Sequence, residues 1–153
     1  MTIPDFTNGQ SARDLRRRMA EDQAEIDAAL DRRSALEEAA ETERAFAIRH
    51  HGLTVDEYQD IVDHATRAAA AGHWQILAMR FPSRLCSDHG RAIIAGDADW
   101  PDTLPQKPRA LYDHWRREER GLGYHLSAAI LDYPDGLPGD VGLILDWRAE
   151  SDR

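Results

Sequence analysis

The sequence predicts an α+β protein in which a long N-terminal helical hairpin precedes a small three-stranded sheet packed with helices, in the order α-α-β-α-α-β-β. Three observations predict it. Between Ser11 and His51 no glycine or proline interrupts a run dominated by alanine, leucine, glutamate and arginine, all strong helix formers. At His73 the hydrophobic period changes from about 3.6 residues to 2, the spacing of a strand. Further on, "YHLSAAILDY" and "VGLILDW" flank the turn-forming "PDGLPGD", the pattern of a β-hairpin with a longer loop.

Taken in order, Pro4, Asn8 and Gly9 disfavour regular structure over residues 1–10, which are expected to be a flexible tail. "SARD" then fits a capping box, with Ser11 accepting from the third helical amide while Asp14 reaches back. The helix runs to "IRHH", whose cationic or titratable side chains suit exposed helix carbonyls, and Gly52 ends it. At 1.5 Å per residue it is on the order of 57 Å long, more than a domain of this size covers. Ala12, Leu15, Met19, Ile26, Ala29, Leu36, Ala40 and Ala47 follow a heptad-like seam interrupted by Asp22, Arg33 and Glu43. The expectation is a helix that packs partly on its own domain and partly on a second copy, with Leu15, Met19, Ile26 and Leu36 buried in a homodimer seam; the alternative is a helix folded wholly onto its own chain.

Thr54 opens a second capping box, "TVDE", with Glu57 in the reciprocal position. Val55, Tyr58, Ile61, Val62, Ala65 and Ala69 make one apolar face of a helix that closes at Gly72, and the short connection predicts an antiparallel hairpin. In "HWQILAMRF", strict alternation puts Leu77, Met79 and Phe81 on one face and Trp74, Ile76, Ala78 and Arg80 on the other. Apolar character on both faces points to a strand that is central or covered on both sides. Pro82 ends it.

"SDHGRAII" reads as a short helix capped by Ser87 and stopped at Gly96. After the acidic, proline-containing loop "DADWPDTLPQK", Pro108 is expected as the first residue of "PRALYDHWRREER", with Leu111 and Trp115 a buried i, i+4 pair and Gly121 to Gly123 ending the helix. The helical crossover allows the first two strands to be parallel, with the third antiparallel to the second. Val141, Leu143, Leu145 and Trp147 share one face of the last strand, and Trp74, Phe81, Trp115, Leu143 and Trp147 are expected between sheet and helices. The organisation read from this pattern is a tail over 1–10, a helical hairpin and dimerisation region over 11–72, a small α+β domain over 73–148 and a tail over 149–153.

Composition bounds the function. The 153 residues are 42% hydrophobic and 31% charged, ordinary for a globular protein. No apolar run approaches the roughly 20 residues that span a bilayer, and "MTIPDFTNGQ" lacks the features of a secretory signal, so no membrane partner and a cytoplasmic location are expected. Cys86 is the only cysteine, which excludes an intramolecular disulfide and a multi-cysteine zinc site. The net charge of −9 argues against a general nucleic-acid binder, because such binding needs a cationic surface that releases counterions. Lys107 is the only lysine, and the arginine and alanine bias suggests a GC-rich bacterial gene.

Candidate chemistry concentrates in "FPSRLCSDHGRAI", residues 81–93. A strand end turning into a helix start gathers free backbone amides, and Arg80, Ser83, Ser87, His89 and Arg91 can surround that point with donors for an anion or small ligand. A cysteine at such a helix terminus has a lowered thiol pKa, and His89 is placed to assist Cys86 as a base. The alternative is structural: buried cysteine, capping serines and surface arginines. Asp97, Asp99 and Asp102 lack the glycine and glutamate of a calcium loop, and adjacent His50 and His51 point about 100° apart on a helix. No metal site or cofactor is expected.

No P-loop, G-x-G-x-x-G, G-x-S-x-G or H-E-x-x-H occurs in the chain. Three classes of function remain. The first is a non-enzymatic interaction or regulatory protein that self-associates through the long helix and meets a protein partner. The second is a sensor of a small ligand or anion centred on residues 80–91, and the third is an enzyme using Cys86 and His89.

Overall fold

The computed structural model describes residues 11–153. The expected tail over 1–10 lies outside the described residues. The chain divides into two compact units, Met1–Glu43 and Arg44–Arg153. The described part of the first is a single stretch of helix. It belongs to α1, Ala12–His50, which starts at the capping box read from the sequence: the Ser11 hydroxyl accepts from the Asp14 amide, and the Asp14 carboxylate accepts from the Ser11 amide. No residue of α1 before Ala45 is buried. Its surface carries i, i+4 ion pairs such as Arg33 with Glu37 at 3.0 Å, of the kind that supports solvated helices.

The second unit is built around a sheet of β1 (Gln75–Pro82), β2 (His125–Ile130) and β3 (Asp140–Asp146). The order is β1-β3-β2, and both pairings are antiparallel. β1 and β2 therefore run in the same direction, as the crossover allowed, but β3 lies between them. The placement of β1 at the centre is corrected: β3 is central and β1 is an edge. The hairpin of β2 and β3 forms as expected, with Leu126 opposite Leu145 and Ile130 opposite Val141.

A bulge in β1 corrects the assignment of its faces. Leu77 pairs with Ile144 and Met79 with Leu143, leaving Ala78 as the extra residue. Ile76, Met79 and Phe81 thereby share the face of Leu145, Leu143 and Val141, which is the core face, while Leu77 and Arg80 turn to the other. On that second face a Cβ at Gly142 would lie 2.7 Å from side-chain carbons of Leu77 and Leu131, so glycine lets those two leucines close over the central strand.

The core joins Ile76, Phe81, Val141, Leu143, Leu145 and Leu126 of the sheet to Cys86, Ile93, Leu111 and Trp115. α2 (Val55–Ala70) packs along β1 and brings Ile61, Ala65 and Ala68 against this cluster. Both halves of its capping box form between Thr54 and Glu57. Trp74 is the exception among the expected core tryptophans: the residue is 59% exposed, and its carbonyl accepts from the Trp147 amide.

Two helix starts differ from expectation. α3 (Arg91–Ala95) is capped by the Asp88 carboxylate, which accepts from the amides of Gly90 and Ala92, rather than by Ser87. Aspartate two residues before Gly90 reaches these amides because His89 and Gly90 both take left-handed backbone (φ 58° and 88°). α4 (Gln106–His114) begins two residues before Pro108, which sits in the first turn where a missing amide breaks no helical bond. Gly96 stops α3 and Gly123 closes the segment after α4, both in left-handed conformation.

Candidate functional site

The candidate residues over 80–91 are held by different partners. The Arg80 guanidinium pairs with Asp140 at 2.6 Å and lies 3.6 Å from Asp132. Ser83 is buried and its hydroxyl donates to the Pro138 carbonyl, while Ser87, His89 and Arg91 are exposed. Cys86 is buried in the core at the end of a 3₁₀ turn, Ser83–Leu85, and not at the start of a helix. Burial, then the charge of Asp88, pushes its thiol up to about 11. That direction opposes nucleophilic activation. Among the described residues no group of three or more His, Cys, Asp and Glu side chains is placed to hold a metal ion, and no helix is long and apolar enough to cross a membrane.

A different part of the second unit forms a cleft of about 490 Å³. Tyr58, Ile61, Val62, Ala65 and Ala69 of α2 make one wall. Leu111, Trp115 and Glu119 make a second wall, and Ala78, Leu126 and Leu145 of the sheet, with Trp147 just after it, complete the lining. The amphipathic period of α2 explains the first wall, since positions three and four apart fall on one face. The second depends on an irregularity: after His114 the helix widens into a π turn, Trp115–Glu119. Such π turns are frequent at functional sites, and Glu119, the last residue of this one, lines the cleft.

Polar groups gather at one place in this apolar surface. The Tyr58 hydroxyl donates to the Glu119 carboxylate. Burial, followed by the neighbouring Glu119, raises the Tyr58 pKa, so the phenol keeps its proton and stays a donor. His114 stacks on Tyr58 with ring centroids 4.2 Å apart. Its buried Nδ1 lies 3.3 Å from the same carboxylate without a hydrogen bond. The Trp115 indole is held by a 2.9 Å bond to the Tyr124 carbonyl, which fixes the ring between core and cleft. A second hollow of about 380 Å³ adjoins the first at Ile61 and Ala78 and is more polar, with Glu57, Asp60, His64, Arg80 and Lys107 around it. Lys107 there pairs with Glu57.

The sequence reading placed Tyr58 on an apolar helix face and missed Glu119 and His114. No local spacing marks them, since the cleft draws on residues from Tyr58 to Trp147. The seam residues of the first unit are open to solvent: Leu15 is 43%, Met19 70%, Ile26 54% and Leu36 72% exposed. Comparison of the chain with protein-family models, with curated proteins and with solved structures returned no match.

Proposed function

We propose that this chain is a non-enzymatic interaction protein that self-associates through residues 11–50 and uses its α+β unit to meet a protein partner. One observation carries the reading: from Ala12 to Arg44 the helix buries no residue, yet Leu15, Met19, Ile26, Leu30 and Leu36 stand on it exposed. Burying one such side chain stabilises by about 1.5–3 kcal/mol. A second copy offers an identical apolar stripe, and a two-fold arrangement satisfies both at once. Light scattering of the full chain across a dilution series tests this. A dimer that dissociates on dilution is expected, and Met19→Glu with Leu36→Glu will shift it to monomer. A strict monomer at high protein concentration refutes the proposal.

The cleft favours a second reading, a binding site for a small, largely apolar ligand with one hydrogen-bond donor directed at Glu119. Its support is the combination of apolar walls with one carboxylate, Glu119, beside the Tyr58 hydroxyl, the usual chemistry of ligand pockets. A thermal-shift screen of aryl and alkyl amines against their carboxylate counterparts tests it, with Ala65→Trp as the variant that fills the cleft. Stabilisation by amines that Ala65→Trp abolishes is expected. No stabilisation by any member of the panel refutes this reading.

A further inference from the structure

We infer that the two copies associate with their α1 helices antiparallel, about a two-fold axis passing between Asp27 and Ala28, so that Asp22 of each copy meets Arg33 of the other. The inference rests on the self-association proposed above and goes beyond it by specifying orientation and register.

The seam itself supplies the constraint. α1 is continuous from Ala12 to His50, so its heptad positions hold over the whole length. Ala12, Met19, Ile26, Arg33 and Ala40 occupy one core position of the repeat, and Leu15, Asp22, Ala29, Leu36 and Glu43 the other. In an antiparallel pair each residue of one set packs against a residue of the other. A two-fold between Asp27 and Ala28 sets Met19 against Leu36, Leu15 against Ala40 and Ile26 against Ala29. It also sets the two central interruptions of the seam, Asp22 and Arg33, against each other. The charges that spoil the seam of one helix become an ion pair between two.

Other arrangements fail on the same residues. A parallel, in-register dimer places Asp22 on Asp22 and Arg33 on Arg33, two layers of like charge. Sliding the antiparallel pair by one heptad puts Asp22 opposite Ile26 or Ala40, and Arg33 opposite Leu15 or Ala29. Each slide buries Asp22 and Arg33 without partners, whereas the two-fold between Asp27 and Ala28 leaves only Glu43 unpaired, beside Ala12 at the end of the seam. Polar positions in the seam that are satisfied in one register alone, here two symmetry-related Asp22–Arg33 pairs, are a known means of selecting register and orientation.

The ends of the helix agree. Arg13, Arg16, Arg17 and Arg18 lie within the first turns of α1, and Glu37, Glu38, Glu41 and Glu43 lie toward residue 43. Antiparallel packing brings the basic end of one helix beside the acidic stretch of the other, and parallel packing stacks like on like. Ion pairs within one chain, such as Arg17 with Asp14 at 3.4 Å and Arg33 with Glu37 at 3.0 Å, involve side chains that are about one-third exposed or more.

Charge reversal in the full chain tests the arrangement. Asp22→Arg alone and Arg33→Asp alone are each expected to weaken self-association by at least about tenfold, because each creates two like-charge contacts per dimer. The double variant carrying both changes will restore it. Oxidative cross-linking gives an independent measure: a copy carrying Met19→Cys mixed with a copy carrying Leu36→Cys will yield the mixed disulfide in preference to either self-pair. Far-ultraviolet circular dichroism of every variant verifies that the helix persists. A wild-type monomer removes the self-association itself. A wild-type dimer whose affinity ignores both single reversals, or a Met19→Cys copy that cross-links mainly to itself, leaves self-association standing and overturns the antiparallel register.

Discussion

At Cys86, burial and the Asp88 carboxylate act in the same direction on the thiol, and the hydrogen bond with Thr103 opposes them only in part. The thiol pKa of about 11 stands well above the unperturbed value near 8.5. Labelling of native protein by a thiol reagent at neutral pH is therefore expected to be slow, and to become fast when denaturant opens the core. Fast native labelling that slows in His89→Ala would reverse the assignment. Asp146 shows the opposite shift. Its buried carboxylate accepts from the Arg148 side chain at 2.9 Å and from the Arg148 amide at 2.8 Å. The Arg148 side-chain bond, above all, lowers the pKa below the ordinary 3.8. A depressed folded-state pKa contributes stability that is present above the unfolded value and is lost as pH falls through the folded one. Asp146→Asn is expected to reduce stability at neutral pH and to flatten its decline below about pH 4, measured by denaturant unfolding at a series of pH values.

Among the elements, the segment from α4 through the π turn does two jobs. Leu111 and Trp115 seal the core, and Glu119 reaches the cleft. Trp115→Ala is expected to cost about 3–5 kcal/mol in chemical denaturation, the range for removing a buried large aromatic. Trp74→Ala, at an exposed ring, is expected to change stability by no more than about 0.5 kcal/mol. The two substitutions separate a tryptophan that packs from one that only borders the sheet. α2 depends on its first turn: Thr54→Ala removes the hydroxyl that caps the Glu57 amide and is expected to cost about 1 kcal/mol. A smaller loss than for Trp115→Ala is the check that capping and packing contribute on different scales.

For the molecule as a whole, the two units draw stability from different sources. Residues 44–153 hold the buried core. The helix over residues 12–43 has intrahelical hydrogen bonds, a capping box and surface ion pairs, and buries nothing. Helices without tertiary packing are marginal, so association is expected to stabilise this part preferentially. Ellipticity in the far ultraviolet will fall as the full chain is diluted through its dimer dissociation range, while the summed fluorescence of its four tryptophans stays unchanged. Loss of both signals together would mean that the core itself depends on the second copy.

Signals confined to a few neighbouring residues were legible in the chain. Capping residues specify which amides are satisfied three positions away, so the starts at Ser11 and Thr54 could be read directly, as could the stop at Gly96 and the hairpin of β2 and β3. Tertiary structure decided everything that joins distant segments. Alternation in β1 cannot reveal that Ala78 bulges, because the bulge arises from pairing with β3 some sixty residues later. Nor can it show that β3, the last strand made, takes the central place, leaving β1 at an edge and Trp74 outside the core. Asp88 displaced Ser87 as the cap of α3 because two left-handed residues bent the chain toward it, a conformation with no unique local signature. The cleft belongs to the same category: its apolar wall on α2 was legible from helical period, but His114 and Glu119 acquire meaning only where the fold sets them against Tyr58, more than fifty positions earlier in the chain. Local patterns fix hydrogen bonds between neighbours in sequence; the position of a side chain against a distant segment is settled by packing, which spacing does not encode.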